Sequence, residues 1–304
     1  MGLLEAIMGL LPEVKAPDQK KLDFGTKFKW TLIILIAYYL LSLIPLNGLG
    51  GNALQQFTFF STILGASFGS LITLGIGPIV TASIILQLLN GSGIIDFNLQ
   101  TEEGKKRFQG WQKLLSIFFI VFEGIIFVAS GGLSPAAGVS SAWIMIQLMI
   151  GGYLIMLMDE VVSKWGFGSG LSLFIAAGVS KELMIRLLSP LSQGGLLAWP
   201  FGTEAPIGAV FAVVYAITSQ TITDFLRQLV AIVMTFVVFA IAVYAMAMKV
   251  EIPLSFGRAR GYGVRWPLNF MYTSNIPVIL IAALIANIQL AGQLLAQRGI
   301  TWIG

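Results

Sequence analysis

Thr73-Leu74-Gly75-Ile76-Gly77-Pro78-Ile79-Val80-Thr81 is the stretch on which the fold turns. It is apolar enough to leave water, yet two glycines and a proline interrupt the helix it begins. Discontinuous helices of this kind mark the working centre of transporters and channels. Upstream, residues 55–70 are equally apolar but too short, too glycine-rich and too hydroxylated to cross as a lipid-facing helix. Non-helical backbone at membrane depth persists only inside protein or beside a water-filled cavity. Residues 55–68 are therefore expected to form a short re-entrant helix within the protein, the alternative being an interfacial helix on the outer leaflet. Downstream, Gly168-Ser169-Gly170-Leu171-Ser172-Leu173-Phe174-Ile175 repeats the small, weakly polar pattern, which suits close helix packing or a path lining.

The surrounding composition fixes the class. Of 304 residues, 57% are hydrophobic and 11% charged, the latter less than half the roughly 25% of a soluble domain. No charge falls between Lys29 and Asp96, between Glu123 and Asp159, or between Arg265 and Arg298. Each of these gaps exceeds the roughly 20 residues that cross a bilayer as a helix. The chain is thus read as a polytopic, all-α membrane protein. Without His or Cys it has no Ser-His-Asp or Cys-His catalysis, no haem or iron-sulfur ligation and no disulfide. No phosphate-binding P-loop appears either, so neither an enzyme nor a resident cofactor or metal is expected. A cleaved signal peptide is not expected, because about 27 residues precede a long first apolar run.

Apolar windows predict seven spans, at about 28–46, 71–90, 112–130, 141–158, 168–190, 228–248 and 272–292. With the N-terminus in the cytoplasm, 14 of the 18 Lys and Arg residues face inward and four outward, as the positive-inside rule requires. Residues 205–223 are uncharged and nearly long enough to cross, but counting them as a span worsens that split; they are read as part of an external loop covering 191–227. The chain then divides into a cytoplasmic segment 1–27, a first half 28–190 and the start of a second half 228–304. Pro78-Ile79-Val80 with Gln87-Leu88 recurs as Pro277-Val278-Ile279 with Gln289-Leu290, displaced by 199 residues. Together with the span pattern this echo predicts an inverted five-plus-five repeat. The repeat calls for about 110–130 further residues after Gly304.

Two other features carry chemistry. Glu123 is the acidic residue placed well inside a predicted span, where an unpartnered carboxylate is expensive. It should meet a partner or a wet interior; the alternative is a reach to the interface from a position near the helix end. Residues 248–266 hold Lys249, Arg258, Arg260 and Arg265 among glycines and prolines, a pattern that serves topology, anionic lipid or RNA phosphate.

The strings Lys29-Trp30-Thr31, 73–82, Gln112-Lys113-Leu114-Leu115-Ser116, Asp159-Glu160-Val161-Val162-Ser163-Lys164-Trp165-Gly166, Ser274-Asn275-Ile276-Pro277-Val278-Ile279 and Ala286-Asn287-Ile288-Gln289-Leu290 closely resemble the SecY family, in its archaeal branch. The resemblance implies a protein-conducting channel that passes secretory chains across the membrane and releases hydrophobic segments sideways. It implies ten spans in two inverted halves, of which this chain supplies seven. It makes 55–68, with Phe57, Phe60, Ile63, Leu64 and Gly65, the plug of the external funnel. It makes Ile76, Val80, Leu171, Ile175 and Ile279 a ring of apolar side chains, and Thr81, Glu123 and Asn287 a polar cluster at the lateral gate. In each of the pairs Ile76/Val80 and Leu171/Ile175 the i, i+4 spacing stacks two knobs on one helix face. Such a constriction dewets and blocks ions yet yields around any side chain.

The same resemblance makes Arg258, Arg260 and Arg265 a ribosome-docking loop. It names as partners the SecE and Secβ subunits, the ribosome, signal peptides, nascent chains and membrane lipids, with the channel in the plasma membrane. Spans eight to ten, the other wall of the gate, a sixth ring member and a further docking loop are not expected within these 304 residues. The rival readings are a secondary transporter, which shares broken helices and inverted repeats, and an insertase-type chaperone, which uses a hydrophilic groove with a buried cation.

Overall fold

The structure, a computed structural model, describes residues 12–17, 22–52, 64, 66–192, 197–198, 205–254 and 264–269, and scattered residues between 281 and 296. In chain order the elements are α1 (Phe24–Leu43), β1 (Leu49–Asn52), α2 (Gly77–Gly91), α3 (Glu102–Ala129), β2 (Leu133–Pro135), α4 (Ser141–Trp165), α5 (Gly170–Leu188), α6 (Ala209–Thr218), α7 (Ile222–Ala247), β3 (Lys249–Leu254) and β4 (Val264–Asn269). The described residues from 281 to 289 are also helical. Four of these helices, α1, α3, α4 and α7, are long and apolar enough to cross a membrane.

The chain forms two compact units, one of residues 1–180 with 276–304, the other of residues 181–275. In the first, α2 and α4 pack over a core in which Ile72, Ile76, Val80, Ile155, Val162 and Phe174 are fully buried. A neighbouring cluster joins Leu74 to Ile120 and Phe127 of α3 and Ile144 and Leu148 of α4. The second unit holds the hairpin of α6 and α7, turned at Gln220 (φ 56°), and the β3–β4 ribbon. No α7 side chain is buried within the described residues, the condition of a helix whose apolar surface meets lipid or another chain.

The broken stretch is non-helical from Leu71 to Ile76 and buried from Ile72 on, and the helix expected over 71–90 starts at Gly77. Hydroxyls and neighbouring backbone satisfy the freed groups. Thr73 Oγ1 accepts from the Gly69 amide at 3.0 Å and donates to the Ser70 carbonyl at 2.5 Å. Leu71 N–H donates to the Ile44 carbonyl at 2.9 Å, and Leu46 N–H to the Gly69 carbonyl at 2.9 Å. Irregular backbone at membrane depth thus survives because protein surrounds it.

Other boundaries differ from the sequence reading for identifiable reasons. α3 begins at Glu102, not 112, because Thr101 accepts from the Gly104 amide at 3.1 Å and Glu102 and Glu103 favour the helix's positive end. Those polar first turns are invisible to a hydropathy window. α4 runs on to Trp165, so Asp159 and Glu160 lie in a helix instead of beyond its end. Residues 205–223 contain the ten-residue helix α6, about 15 Å long and too short to cross. The architecture is mostly helical, as read, with two short ribbons added: β1 pairs antiparallel with β2, and residues read as loop over 248–266 supply β3, paired with β4. In that ribbon Glu251 faces Pro267 and Pro253 faces Arg265; a two-stranded ribbon tolerates proline because both its strands are edges.

Candidate functional site

Four of the five apolar residues expected to ring a pore fall in one cluster. Ile76 caps α2 and Val80 lies one turn on, both with no exposed surface. Leu171 and Ile175, one turn apart on α5, are partly buried and pack against the same cluster. Ile279 lies outside the described residues. So do Phe57, Phe60, Ile63 and Gly65 of the expected plug; Leu64 is described, is 1% exposed and belongs to the same apolar cluster.

The polar trio does come together. Asn287 Nδ2 donates to Thr81 Oγ1 at 3.1 Å and to Glu123 Oε1 at 3.1 Å. Thr81 and Glu123 are each 8% exposed, and Glu123 Oε2 has no hydrogen-bond partner among the described residues. Three segments far apart in sequence, α2, α3 and the helical stretch around 287, thus meet through one amide. That amide is a compact way to give a buried carboxylate a donor without a second charge.

A family model for SecY matches residues 70–303. The chain belongs to the SecY family. It is 46% identical over 305 residues to the protein translocase subunit SecY of Methanothermobacter thermautotrophicus, covering 99% of this chain and 65% of that one. Its identity to the corresponding subunit of Methanocaldococcus jannaschii is 41%, covering 100% and 65%. Among solved structures, one described as a protein conducting channel superposes with a TM-score of 0.80 at 39% identity, over 99% of this chain and 65% of that one. Sec61 in the canine ribosome-channel complex from the endoplasmic reticulum gives 0.79 at 39%, over 99% and 66%. The chain therefore has the SecY fold of a multi-pass membrane protein, and it spans about two thirds of the length of these relatives.

A second constellation in this SecY-family chain was not read from sequence. Glu160 on α4 pairs with Lys164 at 2.9 Å and with Lys113 of α3 at 2.9 Å, and its Oε1 accepts from the Val14 amide at 3.2 Å. Lys164 also reaches Glu13 at 2.7 Å and the Val14 carbonyl at 2.5 Å. Lys113 donates to the Pro12 carbonyl, and Trp165 Nε1 to the Lys15 carbonyl at 2.8 Å. Residues 12–15 thus form a strap that joins Lys113 of α3 to the C-terminal turns of α4. Asp159-Glu160 was visible in the family motif, but no spacing rule links it to Lys113 or to residue 14, so only folding discloses the network. In the second unit, Arg265 pairs with Glu251 across the β-ribbon at 2.9 Å, both exposed; Arg258 and Arg260 lie outside the described residues.

The strap has a pH signature. The hydrogen bond and charge of Lys164, helped by Lys113 and Lys106, hold the Glu13 carboxyl below the ordinary carboxylate range against the opposing effect of burial. A depressed folded-state pKa stabilises the folded contact above the ordinary value, and that contribution is lost as pH falls through the lowered one. Acidification below the usual carboxylate range should therefore loosen the Glu13–Lys164 contact of the strap. The change should appear in Trp165 emission, as the difference between the wild-type and Trp165→Phe spectra. A flat difference signal through that range would show that Glu13 does not secure the strap.

Proposed function

We propose that this chain forms the greater part of a protein-conducting channel, passing secreted polypeptides across the membrane and releasing hydrophobic helices sideways. The observation that carries this reading is the buried, glycine-broken segment that delivers Ile76 and Val80 into one apolar cluster with Leu171, Ile175 and Leu64. Apolar side chains with no directional bonds exclude ions and part around any sequence. Ile279 completes the ring in this reading, and residues 55–68 close it from outside as a plug. The Thr81–Glu123–Asn287 bonds hold the lateral gate shut until a signal sequence displaces them.

Energy comes from a partner. The canine Sec61 structure is described as part of a ribosome-channel complex and a yeast Ssh1 structure as bound to the 80S ribosome. The basic residues Arg258, Arg260 and Arg265 are suited to RNA phosphate. SecE and Secβ complete the assembly, and the channel sits in the plasma membrane with its N-terminus inside. That orientation is supported by the strap, in which Lys113 of α3 and Lys164 of α4 both bind residues 12–14 of the N-terminal segment. The first half of the repeat would run over 28–190, the external loop over 191–227 and the second half from 228.

The test is electrical. The 304 residues are fused to the remaining third of the Methanothermobacter subunit and reconstituted with the small subunits in planar bilayers. Ile76→Gly with Ile279→Gly should raise the resting ion conductance well above that of the unsubstituted channel. An unaltered conductance would remove the sealing role from the ring.

A further inference from the structure

Ile76 and Leu171 share an unusual situation. Each stands at the start of its helix, where backbone amides have no partner within the helix itself. In a dry interior every such amide must find an acceptor. Neither finds it nearby in sequence. The Ile76 amide donates to the Leu64 carbonyl at 2.8 Å, and the Leu171 amide to Asp159 Oδ1 of α4 at 2.9 Å. No side chain caps α2, and on α5 the distant carboxylate is used although Ser169 stands beside the helix start.

Both residues also follow a glycine pressed against the acceptor's own residue. Gly75 has φ +56°, and a Cβ there would strike the Leu64 carbonyl oxygen. Gly170 is buried, and a Cβ there would lie 2.6 Å from both Cα and Oδ1 of Asp159. The same device, a side-chain-free residue that lets an external acceptor close on the next amide, is thus built twice. It occurs immediately behind the first apolar knob of each helix.

We infer that the Leu64 carbonyl and the Asp159 carboxylate are paired moorings, which fix from behind how far Ile76/Val80 and Leu171/Ile175 stand toward one another and so set the closed width of the constriction. This rests on the ring reading above. Asp159 is a positioning residue: it touches no passing chain and acts through the Leu171 backbone.

The experiment uses the reconstituted fusion channel. Asp159→Ala and Gly75→Ala should each raise resting conductance several-fold. Asp159→Asn, whose amide oxygen still accepts the Leu171 N–H, should recover most of the seal. Hydrogen exchange at the Leu171 amide should quicken in Asp159→Ala and much less in Asp159→Asn. If Asp159→Ala does not fold, Gly170→Ala displaces the same contact and is read in its place. Wild-type conductance in the mooring variants, alongside a leak in Ile76→Gly with Ile279→Gly, overturns the moorings and leaves the ring intact. Silence in both sets overturns the ring reading itself. Equal leak from Asp159→Asn and Asp159→Ala overturns the hydrogen bond as the mooring.

Discussion

Under the proposed gate reading, Asn287→Leu in the fusion channel should lower the hydrophobicity that a signal sequence needs to enter the membrane. The Asn287 amide is the donor for both Thr81 Oγ1 and Glu123 Oε1, each at 3.1 Å. Leucine fills similar space and donates nothing. Glu123, 8% exposed, is then left without that donor, and a buried polar group stripped of its partner costs about 1–3 kcal/mol or more when charged. Interhelical hydrogen bonds in membranes contribute about 1–2 kcal/mol each at most. Loss of both contacts therefore moves the closed-to-open balance by about 2–3 kcal/mol, or roughly 30- to 150-fold, toward open. Insertion of a graded series of signal sequences measures this directly. Thr81→Val, which removes one acceptor and leaves the carboxylate paired, should shift the threshold by less than half as much. A threshold unmoved by Asn287→Leu would take this cluster out of the gate.

Phe174→Ala should produce the largest loss of stability. Phe174 has no exposed surface and its ring stacks on Tyr38 of α1 with centroids 5.0 Å apart and planes 17° from parallel. It lies in the cluster that also holds Ile76, Val80 and Val162. Truncating such a side chain removes both its transfer energy and its packing partners, typically about 3–5 kcal/mol. Thermal unfolding in detergent should show a large drop in midpoint, and Phe174→Leu a small one. A loss of under about 1 kcal/mol would mean that the site collapses around the missing ring and that the Phe174–Tyr38 stack contributes little to stability.

Much of the architecture was legible because the bilayer imposes one-dimensional rules. Long uncharged gaps must be spans, and Gly75, Gly77 and Pro78 within one such gap mark backbone that protein has to cover. That segment is indeed buried and non-helical before Gly77. The partner expected for Glu123 is present as Asn287. Helix ends were less legible where polar side chains make them: Thr101, Glu102 and Glu103 start α3 ten residues before its apolar window. The β3–β4 ribbon was missed although Lys249-Val250-Glu251-Ile252 alternates, because a short alternation with prolines reads equally well as loop.

The sequence by itself determined the class, the family, and the side chains whose chemistry has to be accommodated. These follow from composition and local period, which the chain carries whatever its neighbours do. Only the tertiary structure decided who accommodates them: that Glu160 binds Lys113, Lys164 and the Val14 amide, that Asp159 caps α5, and that the Leu64 carbonyl closes on Ile76 behind Gly75. A hydrogen bond depends on direction and on distances of about 3 Å between groups that packing brings together, and no spacing along a chain encodes that.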